Sequence, residues 1–355
     1  MNIADVRVAP LDLPLSEPFE ISLGVQTAAE NVVVAVETED GTIGYGEGSP
    51  IAPVTGETRD AAVETARAAT DLLVGEDLTD YRARVQDVRS TFPGTTSALL
   101  AVETALLDAY CRSRDLPLSA LFGSDPGPVT TDLTVPIVDA DVARKRARAA
   151  DEDGFEHLKI KTGSTVVEDV ERVAAVHEGA PGAELKVDAN QGWTPKETVS
   201  FADACDDRGI DLALIEQPVP AADVVGLRQV REAVSVPVAA DETVFTPEDA
   251  IRVVREEAAD VINLKLGKSG LLGSRDIVAI AEAADLELMV GCMLESAIGI
   301  HAAAHVVSGT GAFSYVDLDG NLLLAEDVAD VNHGPVIEPE GPGHGIVPDV
   351  AGLTE

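Results

Sequence analysis

The chain has 355 residues, with 25 lysines and arginines against 63 aspartates and glutamates, and its formal net charge at pH 7 is -38. A charge of this size and sign repels nucleic acid and anionic membrane surfaces, which excludes both as partners. Because 45% of the residues are hydrophobic and the charge is spread along the whole chain, the composition also excludes a disordered protein.

The cysteines and the apolar segments indicate the compartment. Cys111, Cys205 and Cys292 are odd in number and far apart, so reduced thiols are expected instead of a disulfide framework. Charges and prolines interrupt the opening segment MNIADVRVAPLDLP, and no apolar stretch reaches the roughly 18 residues of a membrane helix. We therefore expect a cytoplasmic protein.

Residues 1–125 are predicted to form a small α+β domain. It opens with a strand and continues with a hairpin, NVVVAVETEDGTIGYGE, that turns at Asp40 and Gly41. Helical periodicity comes next, at about 57–75 and 96–114.

Strand-like and helical segments alternate between residues 126 and 321. The strand-like segments are LTVPIV, HLKIKTG, ELKVDAN, LALIEQP, PVAADE, DVINLKL, ELMVGCM and FSYVDLD. An alanine-rich amphipathic helix follows each of the first seven, which predicts a (β/α)7β barrel, a modified TIM barrel. The last segment, 322–355, has few helix signals and is predicted to return to the first domain.

Charged side chains recur near the C-terminal ends of five of these strands. Lys161, Asp188, Glu216, Asp241 and Lys265 succeed one another at intervals of 27, 28, 25 and 24 residues, each the length of one strand and one helix. In a parallel barrel the C-terminal ends of all strands open on one face, where such barrels carry out their chemistry. These five side chains are therefore expected to converge.

The three carboxylates predict a metal site. Any one of Asp188, Glu216 and Asp241 could be a helix cap or a solvated loop residue. Together, on consecutive strands, they would repel one another strongly unless a cation held them. Oxygen ligands at an open rim suit Mg2+, which keeps positions free for water and substrate.

The lysines add the second half of the predicted site. The chain has only seven lysines, yet Lys159 and Lys161 lie within one apolar strand, on the same side of it. Lysines that extend to the solvated rim are the simpler alternative. However, Lys161 and Lys265 lie on the second and sixth strands, which face each other across an eight-stranded ring. Two amines flanking a carboxylate bound to Mg2+ could remove a Cα proton from one face and return it to the other, which gives racemisation or epimerisation.

The lysine pair, the three carboxylates and the later lysine, in this order, resemble the enolase superfamily and in particular its muconate-lactonising subgroup. The segments PFE, DGTIGYGEGSP and SALLAVETALLDAYCRSRDLPLSALFG resemble the capping domain of that family, and GPGHGI resembles its closing segment. The resemblance implies that Lys161 is the base on one face and Lys265 the acid/base on the other, acting through an enediolate. It also implies that Lys159 lowers the pKa of its partner and contacts the substrate carboxylate, and that the three carboxylates ligate Mg2+.

Weaker signals suggest the substrate. Asp317 and Asp319 in VDLDG form a DxD that resembles the dipeptide epimerases, such as the L-Ala-D/L-Glu epimerases, where the pair is understood to hold the free ammonium of the substrate. Alternatively, one aspartate only caps the turn before Gly320. The segment CMLESAIG resembles the same group, and PVTGET at 53–58 resembles its capping-domain loop. The further residues expected near the substrate are Met293, Glu295, Ser296 and, on the first barrel strand, Thr134.

One departure from that group bears on specificity. In alanyl-glutamate epimerases the loop after PF typically carries an arginine that pairs with an acidic group of the substrate. Here the segment EISLGVQTAAEN has Gly24 near that place and no basic residue. We therefore expect a dipeptide whose second residue is not glutamate but uncharged, hydrophobic or cationic.

Other functions fit parts of the pattern. The same scaffold carries out muconate cycloisomerisation, N-acylamino acid racemisation and o-succinylbenzoate synthesis, but substrates without an ammonium have no use for the DxD. A Schiff-base aldolase would also place a lysine on a barrel strand. A non-catalytic, metal-dependent binding barrel is a third class, although it needs no opposed bases. Barrels of this kind often assemble, so a homo-oligomer is compatible with the sequence.

The acidic surface predicts adaptation to a halophilic cytoplasm of high ionic strength. Because salt screens repulsion between surface carboxylates, the melting temperature is expected to rise as KCl increases from dilute to molar concentration. Differential scanning calorimetry across a KCl series measures this effect. A melting temperature that falls over the same range would contradict the hypothesis.

Overall fold

The computed structural model describes residues 1–22, 24–332 and 334–350. It begins with a three-stranded antiparallel sheet in the order β1-β2-β3, formed by Ile3–Ile21, Gly24–Thr38 and Ile43–Gly48. The β2–β3 hairpin turns at Asp40 and Gly41, as predicted, and the φ angle of Gly41 is +84°. This positive φ explains why a glycine is found at the turn.

Four helices accompany this sheet: α1 (Ala52–Thr55), α2 (Arg59–Ala69), α3 (Tyr81–Thr91) and α4 (Thr96–Arg112). The predicted helices at 57–75 and 96–114 correspond to α2 and α4, although α2 gives way to a 3-10 turn after Ala69. Helix α3 was not predicted. Only two of its residues, Val85 and Val88, are buried, which is too few to give a clear apolar period.

Helix α4 lies directly on strand β3 because the strand sequence IGYGEG alternates with glycine. A Cβ atom at Gly44, Gly46 or Gly48 would collide with the α4 backbone at Ala109, Ala101 or Ser97, respectively. The missing side chains therefore let the helix backbone approach the strand. The alternation is a packing feature of the first domain.

The second part of the structure is the predicted barrel. Its eight parallel strands lie side by side in chain order: β5 (Leu133–Val135), β6 (His157–Lys161), β7 (Glu184–Asp188), β8 (Leu214–Glu216), β9 (Val238–Ala240), β10 (Val261–Lys265), β11 (Glu287–Gly291) and β12 (Tyr315–Val316). The first and last strands also meet, since the Asp132 N–H donates to the Val316 carbonyl at 3.3 Å. The fold class read from the sequence is confirmed.

Seven helices connect the strands: α5 (Ala140–Glu152), α6 (Val166–Gly179), α7 (Pro195–Asp206), α8 (Val224–Ala233), α9 (Pro247–Glu256), α10 (Leu266–Ala283) and α11 (Ala297–Thr310). Two of them begin with a capping box, Thr194 with Glu197 and Thr246 with Asp249, each followed by proline at the first helical position. Helix α10 is bent at Gly270, where φ is +70°.

The last strand is shorter than the sequence suggested. The segment FSYVDLD predicts a strand over 313–319, but β12 holds only two residues. The Leu318 N–H donates to the Thr131 hydroxyl at 2.7 Å instead of continuing the ladder, and Gly320–Leu323 form a 3-10 turn. Asp317 and Asp319 therefore belong to a loop and not to a strand face.

The C-terminal segment returns to the first domain, as predicted. Leu324, Val328 and Ile346 pack in one core with residues of β1 and β2, whereas strand β13 (Val336–Ile337) pairs with β4 (Val129–Thr130), just before β5. Residue 333 and residues 351–355 of the predicted tail lie outside the described residues, as does residue 23 of the β1–β2 segment. The boundaries at 125/126 and 321/322 stay predictions.

All three cysteines are free, and Cys111 and Cys205 are buried. Within residues 1–22, 24–332 and 334–350, the helices are each too short or too polar to cross a bilayer.

The packing of α4 on β3 generates a stability prediction. We expect Gly46→Ala to lower the free energy of unfolding by about 1–3 kcal/mol, because the added methyl group meets helix backbone that cannot move aside. The matched control is Gly127→Ala, where an added Cβ has open space and the φ angle is unstrained. Urea denaturation of both variants measures the difference. Equal stabilities would contradict the packing argument.

Candidate active site

A cleft of about 600 Å3 lies between the C-terminal ends of the barrel strands and the first domain. Charged side chains from the barrel line one side of the cleft, whereas mainly apolar side chains from β1, β2 and α1 line the other. The barrel side holds Thr134, Lys159, Lys161, Asn190, Asp241, Glu242, Lys265, Cys292, Met293, Asp317 and Asp319. One polar wall and one apolar wall are typical of a site that orients a small molecule.

Lys161, the last residue of β6, points into this cleft. Its Nζ lies 2.6 Å from Asp188 Oδ2 on the neighbouring strand and 3.1 Å from Asn190 Oδ1. The Asn190 N–H in turn donates to Asp188 Oδ1 at 2.8 Å. The position of the amine is therefore fixed from two sides.

Lys159 lies two residues earlier and is only 1% exposed. Its Nζ is 2.6 Å from Asp317 Oδ2, 2.8 Å from Glu216 Oε2 and 3.2 Å from Asp188 Oδ2. Leu158 and Ile160 face the opposite way, into the core between the sheet and the outer helices. The strand alternation read from the sequence thus appears in the structure, and it puts Lys159 at the centre of the carboxylates.

Lys265 ends β10, which is separated from β6 by the three strands between them and so lies across the ring. Its Nζ lies 2.9 Å from Asp241 Oδ2. Lys268 contacts the same carboxylate, with Nζ 2.5 Å from Asp241 Oδ1, and it also donates to the Asp241 and Asn263 carbonyls. The structure thus brings Lys161 and Lys265 into one cleft from opposite strands.

The ion pairs determine the protonation of these groups. Burial alone would raise the pKa of the Asp241 carboxyl, but Lys265 and Lys268 lower it below its ordinary value. Burial alone would lower the pKa of the Lys265 ammonium, but Asp241 raises it above its ordinary value. The pairs therefore hold both partners charged.

Two other buried carboxyl groups, those of Glu216 and Glu242, have pKa values above their ordinary range. Burial and the neighbouring carboxylates raise the pKa of Glu216 to about 7 and the pKa of Glu242 to about 8. In both residues Oε2 accepts no hydrogen bond, although Lys159 Nζ lies close to Glu216 Oε2. Glu216 Oε2 is thus a buried oxygen that could bind a cation, whereas Asp188 Oδ2 and both carboxyl oxygens of Asp241 contact lysines.

A second acidic cluster, formed by Asp132, Asp317 and Asp319, lies on the β12 side, and one carboxyl oxygen from each residue lies within 4.8 Å of the other two. Asp132 is 2.6 Å from Lys186 Nζ and, like Asp188 and Glu216, does not line the cleft. Asp319 accepts the Thr134 N–H at 2.6 Å, while burial and Asp317 raise its pKa to about 6. Among the described residues, these three carboxylates form such a cluster, whereas Asp188, Glu216 and Asp241 do not. The strand-end carboxylates stay the metal ligands predicted from the sequence.

The segment after β11 was expected to lie near the substrate, and only part of it lines the cleft. Met293 lines the cleft, but the fully buried Glu295 and Ser296 do not. Glu295 Oε1 accepts the Met293 N–H at 3.1 Å, and Ser296 donates its N–H and its hydroxyl to Glu47 of β3. A direct contact of these two residues with a substrate, as the resemblance implied, has no support in this geometry. Ser296 instead joins the barrel to the first domain.

Sequence reasoning missed several residues of the site. Asn190 and Glu242 come within two positions of the predicted ligands Asp188 and Asp241, and the Asn190 amide donates to Glu242 Oε1 at 3.2 Å. Lys268 was not among the predicted site residues. The signal that could have found it is its spacing of three residues from Lys265 at the start of a helix.

The first domain closes the cleft with uncharged groups. Phe19, Ile21 and Gln26 come from β1 and β2, and Ile51 and Val54 come from the segment at α1. Val54 belongs to the PVTGET loop that the sequence had singled out. Among the described residues of this wall, the cleft is lined by apolar side chains and one amide.

Comparisons with known proteins agree with this architecture. Residues 3–123 match the family described as mandelate racemase / muconate lactonizing enzyme, N-terminal domain, and residues 141–352 match the enolase C-terminal domain-like family. The L-Ala-D/L-Glu epimerase of Thermotoga maritima is 40% identical, and the match covers 92% of this chain and 94% of that protein.

Two solved structures superpose closely. The substrate-liganded L-Ala-D/L-Glu epimerase of Bacillus subtilis has a TM-score of 0.95 and 35% identity, covering 98% of this chain and 99% of that one. The dipeptide epimerase of Enterococcus faecalis, in complex with Mg and L-Leu-L-Tyr, has a TM-score of 0.93 and 34% identity, covering 97% and 99%. On its fold, its strand-end residues and these full-length matches, the chain belongs to the mandelate racemase/muconate lactonizing enzyme family of the enolase superfamily.

Proposed function

We propose that this protein is a magnesium-dependent dipeptide epimerase, an isomerase that inverts the Cα of the second residue by two-base proton transfer. The observation that carries the proposal is the pair of amines, Lys161 and Lys265, which reach one cleft from opposite sides of the barrel. The similarity to epimerases of dipeptides over almost the whole chain supports the substrate class.

Asp188, Glu216 and Asp241 would hold Mg2+. Their oxygen donors suit this ion, and a bound cation would offset the burial and the charge of Asp188 that raise the pKa of Glu216 to about 7. When bound, Mg2+ supplies positive charge to the substrate carboxylate, on which negative charge builds as the Cα proton leaves.

Lys161 and Lys265 would move the proton. A lysine accepts a proton only as the neutral amine, so its ion pair with Asp188 or Asp241 must weaken when substrate is bound. The amine on one face takes the Cα proton, and the ammonium on the opposite face donates a proton to the same carbon. Inversion results because the two groups stand on opposite strands.

Asp317 and Asp319 would bind the amino terminus of the dipeptide. Lys159 already compensates Asp317 at 2.6 Å, whereas Asp319 keeps a pKa raised to about 6 by burial and by Asp317. A substrate ammonium would relieve this repulsion. An N-acylated amino acid brings no such charge, and for this reason we favour a free dipeptide.

The second side chain of the dipeptide would lie against the first domain. Phe19, Ile21, Ile51 and Val54 offer an apolar surface there, and Gln26 is neutral. A glutamyl side chain would lose its solvation without gaining a cationic partner on this wall. Dipeptides with a hydrophobic second residue are therefore the preferred substrates of the proposal.

The compartment and the assembly state stay predictions from the sequence. A reducing cytoplasm would keep the three free cysteines as thiols. A homo-oligomer would need cations at any interface, because the net charge is -38.

The reaction is tested by hydrogen exchange at Cα. In D2O with Mg2+, a panel of L-alanyl dipeptides is expected to take up deuterium at the second residue, faster with leucine, phenylalanine or another apolar residue than with glutamate. NMR monitors the loss of the Cα proton signal, and EDTA is expected to stop it. Turnover of an N-acylamino acid or a lactone precursor, with no exchange in any dipeptide, would remove the assignment.

The two lysines are tested one at a time. Lys161→Ala and Lys265→Ala are each expected to lose exchange from one stereochemical face, seen by starting from the L,L and the L,D forms of one dipeptide. Lys196→Ala, which removes an exposed lysine of α7, is the matched control and should keep both exchanges. If both lysine variants also kept both exchanges, the two-base scheme would be refuted.

A further inference from the structure

A buried carboxylate of the first domain contacts barrel helix α10, which begins directly after Lys265. Glu103, in the middle of α4, is fully buried. Its Oε1 accepts the Leu272 N–H of barrel helix α10 at 2.7 Å, although the two residues are 169 positions apart in the chain. The proton-transfer scheme above gives Glu103 no role.

The contact lies at the bend of α10. Gly270 has φ +70° and ψ 176°, so α10 consists of one turn, Leu266–Ser269, and a second helix that begins after the bend. Glu103 therefore binds the N-terminal end of this second helix, as an N-cap residue does, but from another domain. A Cβ at Gly270 would collide with Glu103 Oε2, so the glycine makes room for the carboxylate.

The single turn between the bend and β10 connects this contact to the base. Ser269 Oγ lies 3.2 Å from the Lys265 carbonyl oxygen and 2.8 Å from Ser274 Oγ, and Ser274 Oγ lies 2.5 Å from the Gly270 carbonyl oxygen, so two hydroxyl hydrogens serve three contacts. Lys268, in the same turn, binds Asp241. The turn after Lys265 is thus tied to β10 at one end and to Glu103 at the other.

We propose that Glu103 is a positioning residue for Lys265: by capping the second helix of α10, it fixes the bend at Gly270 and with it the turn that orients Lys265 and Lys268 toward Asp241. This role rests on the proposed two-base function. Lys161, on the opposite strand, is connected to Asp188 and Asn190 and not to α10, so Glu103 acts on one face of the reaction only.

Glu103 can fix the bend because the Leu272 N–H would otherwise have no acceptor. Without a carboxylate the partly buried Leu272 N–H loses its acceptor, and the bend can then shift. A displacement of about 1 Å at a catalytic group can reduce the rate about a hundredfold. The turn after Lys265 is short enough to transmit such a shift.

The test compares exchange from the two faces in the full-length protein. The face that Lys265→Ala loses is assigned to Lys265. Glu103→Ala is expected to slow exchange on that face by about tenfold or more and to change the other face by less than about threefold. Glu103→Gln keeps an oxygen that can accept the Leu272 N–H and is expected to restore the rate.

Two controls separate positioning from stability. Asp108, a second buried carboxylate of α4, accepts N–H groups of Tyr45 and His344 instead of contacting α10, so Asp108→Asn should lower stability without favouring one face. If Glu103→Ala does not fold, Gly270→Ala strains the same contact, and Gly273→Ala, whose Cβ meets only ordinary contacts, is its control.

Backbone amide hydrogen exchange, read by mass spectrometry over residues 266–274, provides a second measurement that does not need activity. Faster exchange there in Glu103→Ala, but not in Asp108→Asn, is expected. Equal slowing of both faces, or unchanged amide exchange, would overturn the positioning role. If the wild-type protein exchanged neither face of any dipeptide, the proposed function would fail, while the amide measurement would still decide whether Glu103 anchors the turn.

Discussion

The site depends on pairing buried ammonium groups with buried carboxylates at the ends of the barrel strands. Each ion alone would cost several kcal/mol to bury, and removing one partner of such a pair typically costs about 3–5 kcal/mol. Lys161 with Asp188 and Lys265 with Asp241 satisfy this constraint from neighbouring strands. The compensation is incomplete, because the pKa of Glu242 is raised to about 8. The remaining negative charge makes the same cluster suited to cationic ligands.

Carboxylates also join the two domains around the cleft. Glu47 accepts the Ser296 hydroxyl and the Gly299 N–H near the start of α11, and Glu103 accepts the Leu272 N–H within α10. In each case a side chain of the first domain supplies the acceptor that a helix beginning in the barrel lacks. The apolar wall from the first domain is thereby held at a fixed distance from the barrel lysines. Substrate selection and proton transfer can reside on different domains only if that distance is fixed.

Periodicity in the sequence predicted the strand-end residues, whereas features that depend on three-dimensional contact were missed. The intervals between the charged residues, each the length of one strand and one helix, identified the strand-end positions. The alternation of side chains along a strand predicted that Lys159 and Lys161 lie on the same side of theirs. Spacing could not show that Ser296 turns toward Glu47, since the two are 249 positions apart. Nor could alternation show that β12 ends before Asp317, because the Leu318 N–H finds a side-chain acceptor in Thr131. Such features depend on which partner comes near, and a pattern within one segment contains no information about that.

Lysine scarcity was the most informative signal in the composition, and the structure explains why. Of seven lysines, Lys145 and Lys196 are exposed, whereas the other five are buried in or beside the barrel interior, among its carboxylates. On an acidic surface an exposed lysine is worth little, since ion pairs there contribute about 0–1 kcal/mol and salt screens them. Inside the barrel an ammonium has a specific task, because it must carry a proton or compensate a fixed charge. In a chain with so few lysines on its surface, the buried lysines therefore indicate the places where an amine is chemically required.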